Sequence, residues 1–510
     1  MAADVKAAEF AAQLRNHQFV QNAKSAATLL GRAPGSTVTI AELRNLLNQT
    51  AATSSVLDMT GMTVTIDDQV TLQDHPGILG GTFVVSSSTQ RAGLLLRNDA
   101  KRAEDKMTFI LGATFLIHNQ HSSQAAVIYA VDGRHVLIDE CKILGVKVGR
   151  AIYVRGTTAI ARAAPAAYPA SSLSTAATAY AAIKKPAFPE AGSCNVHVLR
   201  TQIHMNTQDG EAITFESGRS FAPQSSAREA WLARNATAVI TAPVSICIVA
   251  ECDISGGHYG VAAYGAARIW VGGCRLYRQV RCTSAQDSTT GFLTYGCDTI
   301  DPKSTMHHNA YGATNCGYAL THGDTGRSNG EGLLQAYVRC PGIQFLDCTV
   351  NAHSQTSSLY AIYSGVASDV SATKLVVHGF YKKQFTRGLA VAESDWIDNS
   401  KSPQSRTYGG TNGELNNFLR SDAGTSLSVR DIQVDLDPVN GYEPGTFAVI
   451  CPTPTVFTKK FTDARMTVPL NRMNWCLGYT NDKGVGVDGF SPGRKPSQYV
   501  HHNQLKILPV

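Results

Sequence analysis

The sequence has few charged residues and no long apolar segment. Asp, Glu, Lys and Arg make up 16% of its 510 residues, whereas they make up about 25% of an average soluble domain. Disorder that is driven by charge repulsion needs an excess of charge, which this sequence lacks. No apolar run approaches the ~20 residues that cross a bilayer as a helix, so we expect no membrane insertion.

Basic blocks and metal-binding cysteine motifs are also missing. The 45 Lys and Arg residues give a net charge of +6, but they are scattered along the chain, which argues against nucleic-acid binding. Twelve cysteines occur without zinc-like spacing, so we predict no metal site and no other cofactor. Residues 1–6 do not have the pattern of a secretory signal, and we expect the cysteines to be reduced.

The N-terminal region has helical periodicity. Between Phe10 and Leu30, apolar residues recur at spacings of three and four, which predicts a helix over the first thirty residues. Thr39 and Glu42 have the spacing of a capping box and precede an apolar stripe, so we expect a second, short helix there. Neither helix forms a core alone, and this end of the chain is expected to dock onto another structure.

From about residue 56, β-branched and polar residues alternate, and an eight-residue unit recurs. The unit has the form apolar, x, apolar, x, x, Cys or Thr, x, apolar. Its copies begin at Phe109, Val136, Val196, Cys247, Ile269, Ile343 and Leu427. Cys247 and Ile269 lie 22 residues apart, within the period of roughly 20 to 50 residues that marks solenoids.

Each copy of the unit supplies a strand, a tight corner and a second strand, and a third strand often follows. Three short strands per turn, with one inward column that accepts Cys, Thr or Ile, are typical of a parallel β-helix rather than a sandwich. Cys141, Cys252, Cys274 and Cys348 then share one interior column and need not be paired. The fold is therefore predicted to be mainly β: a single-stranded parallel β-helix (solenoid) with a short helical N-terminus and a small β-rich C-terminal domain.

Changes in composition predict four segments and three loop insertions. The segments are an N-terminal helical segment at 1–35, a neck or cap with a short helix at 36–75, the β-helix at 76–437 and the C-terminal domain at 438–510. The insertions are expected at 157–193, 216–244 and 283–342. The first insertion is rich in Ala and Pro, which marks it as a low-complexity excursion from the solenoid wall.

Together these features resemble a tailed-bacteriophage tailspike, whose right-handed β-helix is similar to that of pectate lyases. The resemblance covers roughly residues 60–437 as an architecture. It implies a homotrimer that is made in the host cytoplasm and attached to the virion tail. Its N-terminal segment would contact a tail, portal or adaptor protein, and its C-terminal domain would take part in trimerisation. The partner that the resemblance implies on the host is a surface polysaccharide, which is bound and often cleaved.

Four acidic residues on well-defined repeat copies are candidate catalytic groups. Glycosidases use one protonated and one ionised carboxyl group, ~5.5 Å apart for retention or about 6.5 to 9.5 Å apart for inversion. Glu211 lies in a turn and Glu216 at the outer end of the strand that follows. One repeat later, Glu251 and Asp253 flank Cys252. We therefore predict that the catalytic pair is drawn from these four acids.

Outward-facing aromatic residues are candidate substrate-binding groups. If the apolar neighbours of Trp270 point inward, Trp270 itself points outward, and the same alternation exposes Tyr153. Tyr259 and Tyr264 are the further candidates. Such rings stack on sugars, and in a trimer they fill subunit interfaces equally well.

Three functions remain open on the sequence alone. The first is a phage receptor-binding tailspike that cleaves host polysaccharide through a carboxylate pair, as an endo-glycosidase rather than a lyase. The second is a binding-only tail fibre or structural virion appendage with the same fold. The third is a cellular β-helix polysaccharide lyase or hydrolase, against which the missing signal peptide counts. The many uncharged Ser, Thr, Asn and Gly residues favour a neutral sugar polymer over an anionic one.

Overall fold

The computed structural model describes most of the chain up to residue 300 and shorter stretches beyond it. The described residues are 22–88, 91–98, 108–122, 124–133, 135–156, 160–161, 194–207, 210–217, 240–241, 244–264, 266–279, 281–286, 289–300, 340–351, 363–365, 368–378, 387–393, 426–430, 433–435, 447–451, 458–462, 465–468, 475–480, 486–490 and 506–509.

The described elements are two helices and a long series of short strands. The helices are α1 (Ala26–Leu30) and α2 (Ile40–Ala52). The strands up to residue 161 are β1 (Ala23–Ser25), β2 (Thr37–Val38), β3 (Val56–Asp58), β4 (Thr63–Ile66), β5 (Gln69–Gln73), β6 (Gly77–Leu79), β7 (Thr82–Ser86), β8 (Gly93–Arg97), β9 (Thr108–Leu111), β10 (Thr114–Asn119), β11 (Ala126–Val131), β12 (Val136–Asp139), β13 (Lys142–Val146), β14 (Arg150–Gly156) and β15 (Ile160–Ala161). The strands from 196 to 300 are β16 (Val196–Leu199), β17 (Gln202–Met205), β18 (Glu211–Ser217), β19 (Ile240–Thr241), β20 (Ser245–Ala250), β21 (Asp253–Ser255), β22 (Tyr259–Tyr264), β23 (Ala267–Gly272), β24 (Arg275–Tyr277), β25 (Arg281–Gln286), β26 (Thr290–Tyr295) and β27 (Asp298–Ile300). The remaining strands are β28 (Cys340–Asn351), β29 (Tyr363–Gly365), β30 (Ser368–His378), β31 (Arg387–Glu393), β32 (Ser426–Arg430), β33 (Gln433–Asp435), β34 (Phe447–Cys451), β35 (Thr458–Thr462), β36 (Arg465–Val468), β37 (Trp475–Thr480), β38 (Gly486–Phe490) and β39 (Lys506–Pro509).

The strands form three parallel ladders, which are the three faces of a β-helix. Face 1 is the ladder β1-β3-β6-β9-β12-β16-β20-β23-β26-β28-β30-β32-β35, and face 2 is β2-β4-β7-β10-β13-β17-β21-β24-β27-β28-β30-β33-β36-β39. The long strands β28 and β30 belong to both ladders and join them into one 25-stranded sheet. Face 3 is the 7-stranded sheet β5-β8-β11-β14-β18-β22-β25, and β29, β31, β34, β37 and β38 form a further sheet. The predicted mainly β, parallel β-helix fold is confirmed.

Alternate side chains on each strand point into the solenoid and form its core. Along face 1, one interior row consists of Ile110, Ile138, Val198, Val249 and Val271, which follow one another in the strand register and are fully buried. Burying one such side chain contributes about 1.5 to 3 kcal/mol. The core is therefore a series of stacked layers, and the side chains between these positions point outward.

The corner between faces 1 and 2 contains the cysteine column that the repeat predicts. Its predicted members are all buried and none forms a disulfide: Cys141, Cys252, Cys274 and Cys348. Each thiol donates to the carbonyl two residues before it, as Cys274 Sγ does to Gly272 O at 3.4 Å. Burial raises the pKa of Cys141 to about 12, so this thiol stays protonated at neutral pH and packs as a small apolar group.

The N-terminal end of the solenoid is covered by α2. As predicted, Thr39 caps this helix: its side chain accepts from the Glu42 amide, and the Glu42 carboxylate accepts from the Thr39 amide. Leu43, Leu46 and Leu47 of α2 are buried in the same cluster as the first interior rows of the solenoid. The helix thus shields apolar side chains that the first coil would otherwise expose.

The helix expected over the first thirty residues is only partly present. Residues 1–21 lie outside the described residues, Ala23–Ser25 is strand β1, and only Ala26–Leu30 is helical. The difference has a tertiary cause, since β1 pairs in parallel with Val56–Asp58 of β3. Small residues such as Ala and Ser suit both conformations, and strand pairing determines which one forms.

The ladders extend beyond the boundaries that we expected at residues 76 and 437. Strands β3, β4 and β5 already form a complete coil before residue 76, and each pairs with its counterpart in the next coil. At the other end, β36 pairs in parallel with Lys506–Pro509 of β39. These outer coils escape detection because their corners lack the Cys or Thr of the eight-residue unit.

A further coil lies inside the insertion that we expected at 283–342. Strands β26 and β27 continue faces 1 and 2, and Cys297 joins the cysteine column, where its thiol donates to Val271 O at 3.4 Å. The eight-residue unit is not recognisable in the sequence of this coil, because Thr294 and Thr299 occupy inward positions where other copies have aliphatic residues. Residues 301–339 lie outside the described residues. The insertion expected at 216–244 also starts later, since β18 extends to Ser217.

Among the described residues of face 1, one histidine is buried, and it makes the fold sensitive to acid. His197 on β16 is 2% exposed, and burial together with repulsion from His135 lowers its pKa from 6.5 to about 3. Between these two pH values the unfolded chain binds a proton that the folded chain refuses, so stability falls as the pH is lowered through this window. The slope for this group is at most about 1.4 kcal/mol per pH unit.

We expect His197→Gln to remove this part of the acid sensitivity. Urea unfolding at pH 7 and pH 4.5 should show a smaller loss of unfolding free energy for the variant than for the wild type. Replacing the exposed His204 by Gln is the matched control, and it should leave the difference between the two pH values unchanged. Equal acid dependence in the wild type and His197→Gln would refute the assignment.

Candidate functional site

A polar cluster occupies the outward side of face 3, on β14 and β18. Ile152, Val154, Ile213 and Phe215 fill the interior, so Tyr153, Arg155, Thr214 and Glu216, which alternate with them, point outward. Arg150 and Glu211 begin the two strands, where the alternation does not hold, and both contact the outward Thr214: Arg150 Nε donates to its hydroxyl at 3.0 Å, and that hydroxyl donates to Glu211. The outward residues of the two strands are Arg150, Tyr153, Arg155, Glu211, Thr214 and Glu216, and Tyr264 of β22 reaches them from the next coil. We call these seven residues the face 3 cluster.

Glu211 is held by three donors. Arg150 Nε donates to its Oε2 at 2.9 Å, the Thr214 hydroxyl donates to the same oxygen at 2.5 Å, and the Tyr264 hydroxyl donates to Oε1 at 2.7 Å. Its side chain remains 14% exposed. The ion pair with Arg150 and the two hydroxyl donors stabilise a negative charge on this carboxylate, while one edge of the group still reaches the surface.

Glu216 lies deeper, at the end of the same strand. It is 8% exposed, and the Tyr153 hydroxyl donates to its Oε2 at 2.5 Å. Burial, followed by the hydrogen bond to Glu216 and its charge, raises the pKa of Tyr153. The phenol is therefore neutral at physiological pH and acts as a hydrogen-bond donor to Glu216.

Arg150 and Tyr153 connect the two carboxyl groups. The Arg150 guanidinium carbon lies 4.3 Å from the centroid of the Tyr153 ring, in cation–π geometry. The Tyr129 ring stacks on Tyr153 at 4.9 Å with an interplanar angle of 3°. A continuous chain of contacts thus runs from Glu211 through Arg150 and Tyr153 to Glu216, and it fixes the position of both carboxyl groups on one rigid strand.

The other two predicted acids lie elsewhere on the solenoid. Glu251 is exposed at the corner between β20 and β21, with a φ of 55°. Asp253 is the first residue of β21 on face 2, where its register partners are Gln202 and Arg275. The structure therefore places Glu211 and Glu216 on the same strand of face 3, whereas Glu251 lies at the corner between faces 1 and 2 and Asp253 lies on face 2.

The predicted aromatic residues divide in the same way. Tyr153, Tyr259 and Tyr264 all lie on face 3; Tyr259 is the register partner of Glu211 and contacts the ring of His258 edge-on at 4.5 Å. Trp270 lies on β23 of face 1, where it packs against an outward apolar cluster that contains Ile248. Three of the four aromatic candidates thus adjoin the carboxyl pair. The expectation that Tyr153 is exposed is wrong, because Tyr129 stacks on its ring and leaves it 7% exposed.

Sequence reasoning missed Arg150, Arg155, Thr214 and Tyr129. A signal was present in the segments that follow two repeat copies, Gly149-Arg-Ala-Ile-Tyr-Val-Arg and Gly210-Glu-Ala-Ile-Thr-Phe-Glu. Aligned on their glycines, the two segments place each arginine opposite a glutamate, which is the register that the structure has. Complementary charges on neighbouring strands are the pairing expected on an outward face.

Two further features concern the described part of the chain. There, no group of three or more His, Cys, Asp and Glu side chains has the arrangement of a metal site. None of the helices in the same residues is long and apolar enough to span a membrane.

Comparison with known proteins gives structural similarity without sequence similarity. No protein-family profile and no curated sequence matches the chain. Among solved structures, the catalytic domain of a GH87 alpha-1,3-glucanase has a TM-score of 0.41 and 9% identity, over 94% of this chain and 69% of that one. A tailspike of Acinetobacter baumannii bacteriophage Fri1, a capsular polysaccharide depolymerase, has a TM-score of 0.32 and 7% identity, over 92% and 65%. Tailspike protein 2 of Escherichia coli O157:H7 bacteriophage CAB120 has a TM-score of 0.29 and 10% identity, over 91% and 38%. These values are too low to transfer an activity.

Proposed function

We propose that this protein binds a cell-surface polysaccharide on the outward side of face 3 and cleaves it with Glu211 and Glu216. The observation that carries the proposal is the pair of carboxyl groups on one strand, each fixed by hydrogen bonds and bordered by Tyr259 and Tyr264. Glycosidic cleavage needs two positioned carboxyl groups, and aromatic rings beside them supply surfaces on which sugars stack.

The two carboxyl groups have different surroundings, which assigns them different roles in the proposed reaction. Glu211 forms an ion pair with Arg150 and accepts two hydroxyl donors, so we assign it the role of the partner that acts as a base towards water or stabilises positive charge on the sugar. Glu216 is the more buried group and accepts a hydrogen bond from the neutral phenol of Tyr153. We assign it the role of the acid that protonates the leaving oxygen.

We also propose that the protein is a phage tailspike, a homotrimer on the virion tail that is attached through its N-terminal segment. This part rests on the architectural resemblance: a solenoid with a helical cap at its N-terminal end and loop insertions between its coils. Sedimentation of the purified protein is expected to give the mass of three chains. A monomer at micromolar concentration would exclude the tailspike proposal and favour a cellular β-helix enzyme.

The activity is tested by incubating the protein with purified capsular and O-antigen polysaccharides. We expect new reducing ends and an early, large fall in polymer length, as for an endo-acting glycosidase. Products with an unsaturated terminal sugar would identify a lyase instead. Binding without any release of reducing ends would refute the catalytic role and leave a binding-only tail fibre.

A further inference from the structure

Arg155 in the face 3 cluster has a hydrogen-bonding capacity that the protein leaves unfilled. It lies on β14, half-buried, directly opposite Glu216 in the strand register. Its guanidinium is hydrogen-bonded to Tyr129, but its Nε is buried and has no hydrogen-bond partner among the described residues. A buried donor without a partner costs free energy, so an acceptor from outside the described chain is expected at this position.

The charges of the cluster become unequal in the proposed reaction. Arg150 and Arg155 are the two cations, and Glu211 and Glu216 are the two acids. Arg150 is neutralised by its ion pair with Glu211. When Glu216 carries the proton that it delivers to the leaving oxygen, Arg155 has no remaining counter-charge within the cluster. The catalytically competent form of the site therefore has one positive charge in excess, beside the acid.

Another cation, Arg97, lies in the same outward row as Arg155. Arg97 on β8 is exposed, and the register of face 3 places it in line with Val131 of β11 and Arg155 of β14. Two strand spacings of ~4.8 Å separate the two arginines by about 10 Å along the solenoid axis. Two acidic residues lie in turns next to this row, Asp74 directly after β5 and Asp132 directly after β11. Asp74 accepts a hydrogen bond from the side chain of Gln73.

We infer that the polymer cleaved at face 3 is anionic, and that Arg155 binds the carboxylate of a uronic acid or another acidic sugar next to the scissile bond. A guanidinium fork matches a carboxylate through two parallel hydrogen bonds. Because Nε is buried in the unliganded protein, the Arg155 side chain has to turn towards the ligand before Nε and an adjacent amino group can provide the two donors. The inference rests on the proposed function and specifies its substrate class. It departs from the neutral polymer that the composition favours, because Arg155 beside the acid and Arg97 in the same row give this surface a local positive charge.

The probe is a panel of purified capsular polysaccharides that contain hexuronic acid, each compared with its carboxyl-reduced form. Reduction converts every uronic acid to the neutral hexose and leaves the linkages in place. The wild type is expected to cleave the acidic form with the higher kcat/KM. Arg155→Gln should lower the ratio of kcat/KM between the acidic and the reduced form by at least about tenfold, which corresponds to about 1.4 kcal/mol. We expect the change mainly in KM.

Two further variants separate the carboxylate contact from a general effect of charge. Arg155→Lys keeps the charge but not the fork, and it is expected to restore the ratio only in part. Lys142→Gln removes the same charge from face 2, at an exposed position outside the cluster, and should leave the ratio unchanged. Thermal unfolding of each variant verifies that the fold is retained.

The outcomes separate this inference from the proposed function. If the wild type cleaves the reduced polymers as well as the acidic ones, or if Arg155→Gln affects both forms equally, the acidic-substrate inference is wrong and the cleavage activity stands. If no polymer of either form releases reducing ends, the proposed function itself fails, and the inference fails with it.

Discussion

Replacing either carboxyl group of the face 3 pair is expected to lower kcat for polysaccharide cleavage by about 10²- to 10⁴-fold, the usual contribution of a positioned acid or base. Glu216→Gln removes the proton that the leaving oxygen needs, and Glu211→Gln removes the ionised partner. Both changes keep the shape of the side chain, so KM should change much less than kcat. Reducing-end release under saturating polymer measures the effect.

Three other variants show whether the loss comes from chemistry or from position. Tyr153→Phe removes the hydroxyl that donates to Glu216 but keeps the ring that stacks on Tyr129; we expect an intermediate loss of kcat and a shifted pH profile. Glu251 and Asp253 lie away from face 3, so Glu251→Gln and Asp253→Asn are expected to retain most of the activity. The site assignment would be refuted if Glu211→Gln and Glu216→Gln kept full rate, or if the loss occurred in Glu251→Gln or Asp253→Asn instead.

Gly77→Ala is expected to be strongly destabilising for a conservative substitution in the N-terminal coils. Gly77 begins β6 with a φ of +141°, and an added Cβ would lie 2.1 Å from Phe109 O and 2.8 Å from Phe109 N. These are backbone atoms of the next coil, so a side-chain rotation cannot relieve the overlap. Either the strands separate or the ladder loses pairs, at a cost of about 3 kcal/mol or more.

Gly112→Ala separates the clash from the conformational cost. Gly112 lies in the corner after β9 with a φ of +61°, and nothing lies within 4 Å of an added Cβ. Only the left-handed backbone conformation disfavours alanine there, which costs roughly 1 to 2 kcal/mol. Chemical denaturation of both variants should therefore show a much larger fall in unfolding free energy for Gly77→Ala. Similar losses would mean that the coils are more loosely stacked than the structure shows.

The repeat could be predicted from the sequence because an interior position has little freedom. The corner column accepts a small side chain that satisfies a nearby carbonyl, and Cys141, Cys252 and Cys274 reveal it directly. Where Thr294 replaces an aliphatic residue, or where a corner lacks Cys or Thr, the same coil is present but its pattern is not. The conformation of Ala23–Ser25 depended on its pairing with β3, which local spacing cannot reveal.

The site was less predictable than the fold, for a physical reason. Alternation shows which side chains point outward, but not which outward side chains become neighbours. Alternation places Glu216 outward, and Glu211 lies at the start of the same strand, whereas the separation of Glu251 and Asp253 from these two residues depends on which face each strand joins. The roles of Arg150 and Arg155 depend on the register between coils that are separated in sequence by the insertion after β14.

The alternation of inward and outward residues also separates two kinds of change. A substitution at Thr214 or Arg155 leaves the layers of Ile213 and Val154 intact, because these side chains point away from the surface. If face 3 binds the polymer as proposed, recognition there is modular: each coil contributes one short row of outward groups, and a row can be exchanged while the scaffold keeps its stability. Specificity for a new polymer could then be introduced one coil at a time, and engineering should begin with the rows that contain Arg97 and Arg155.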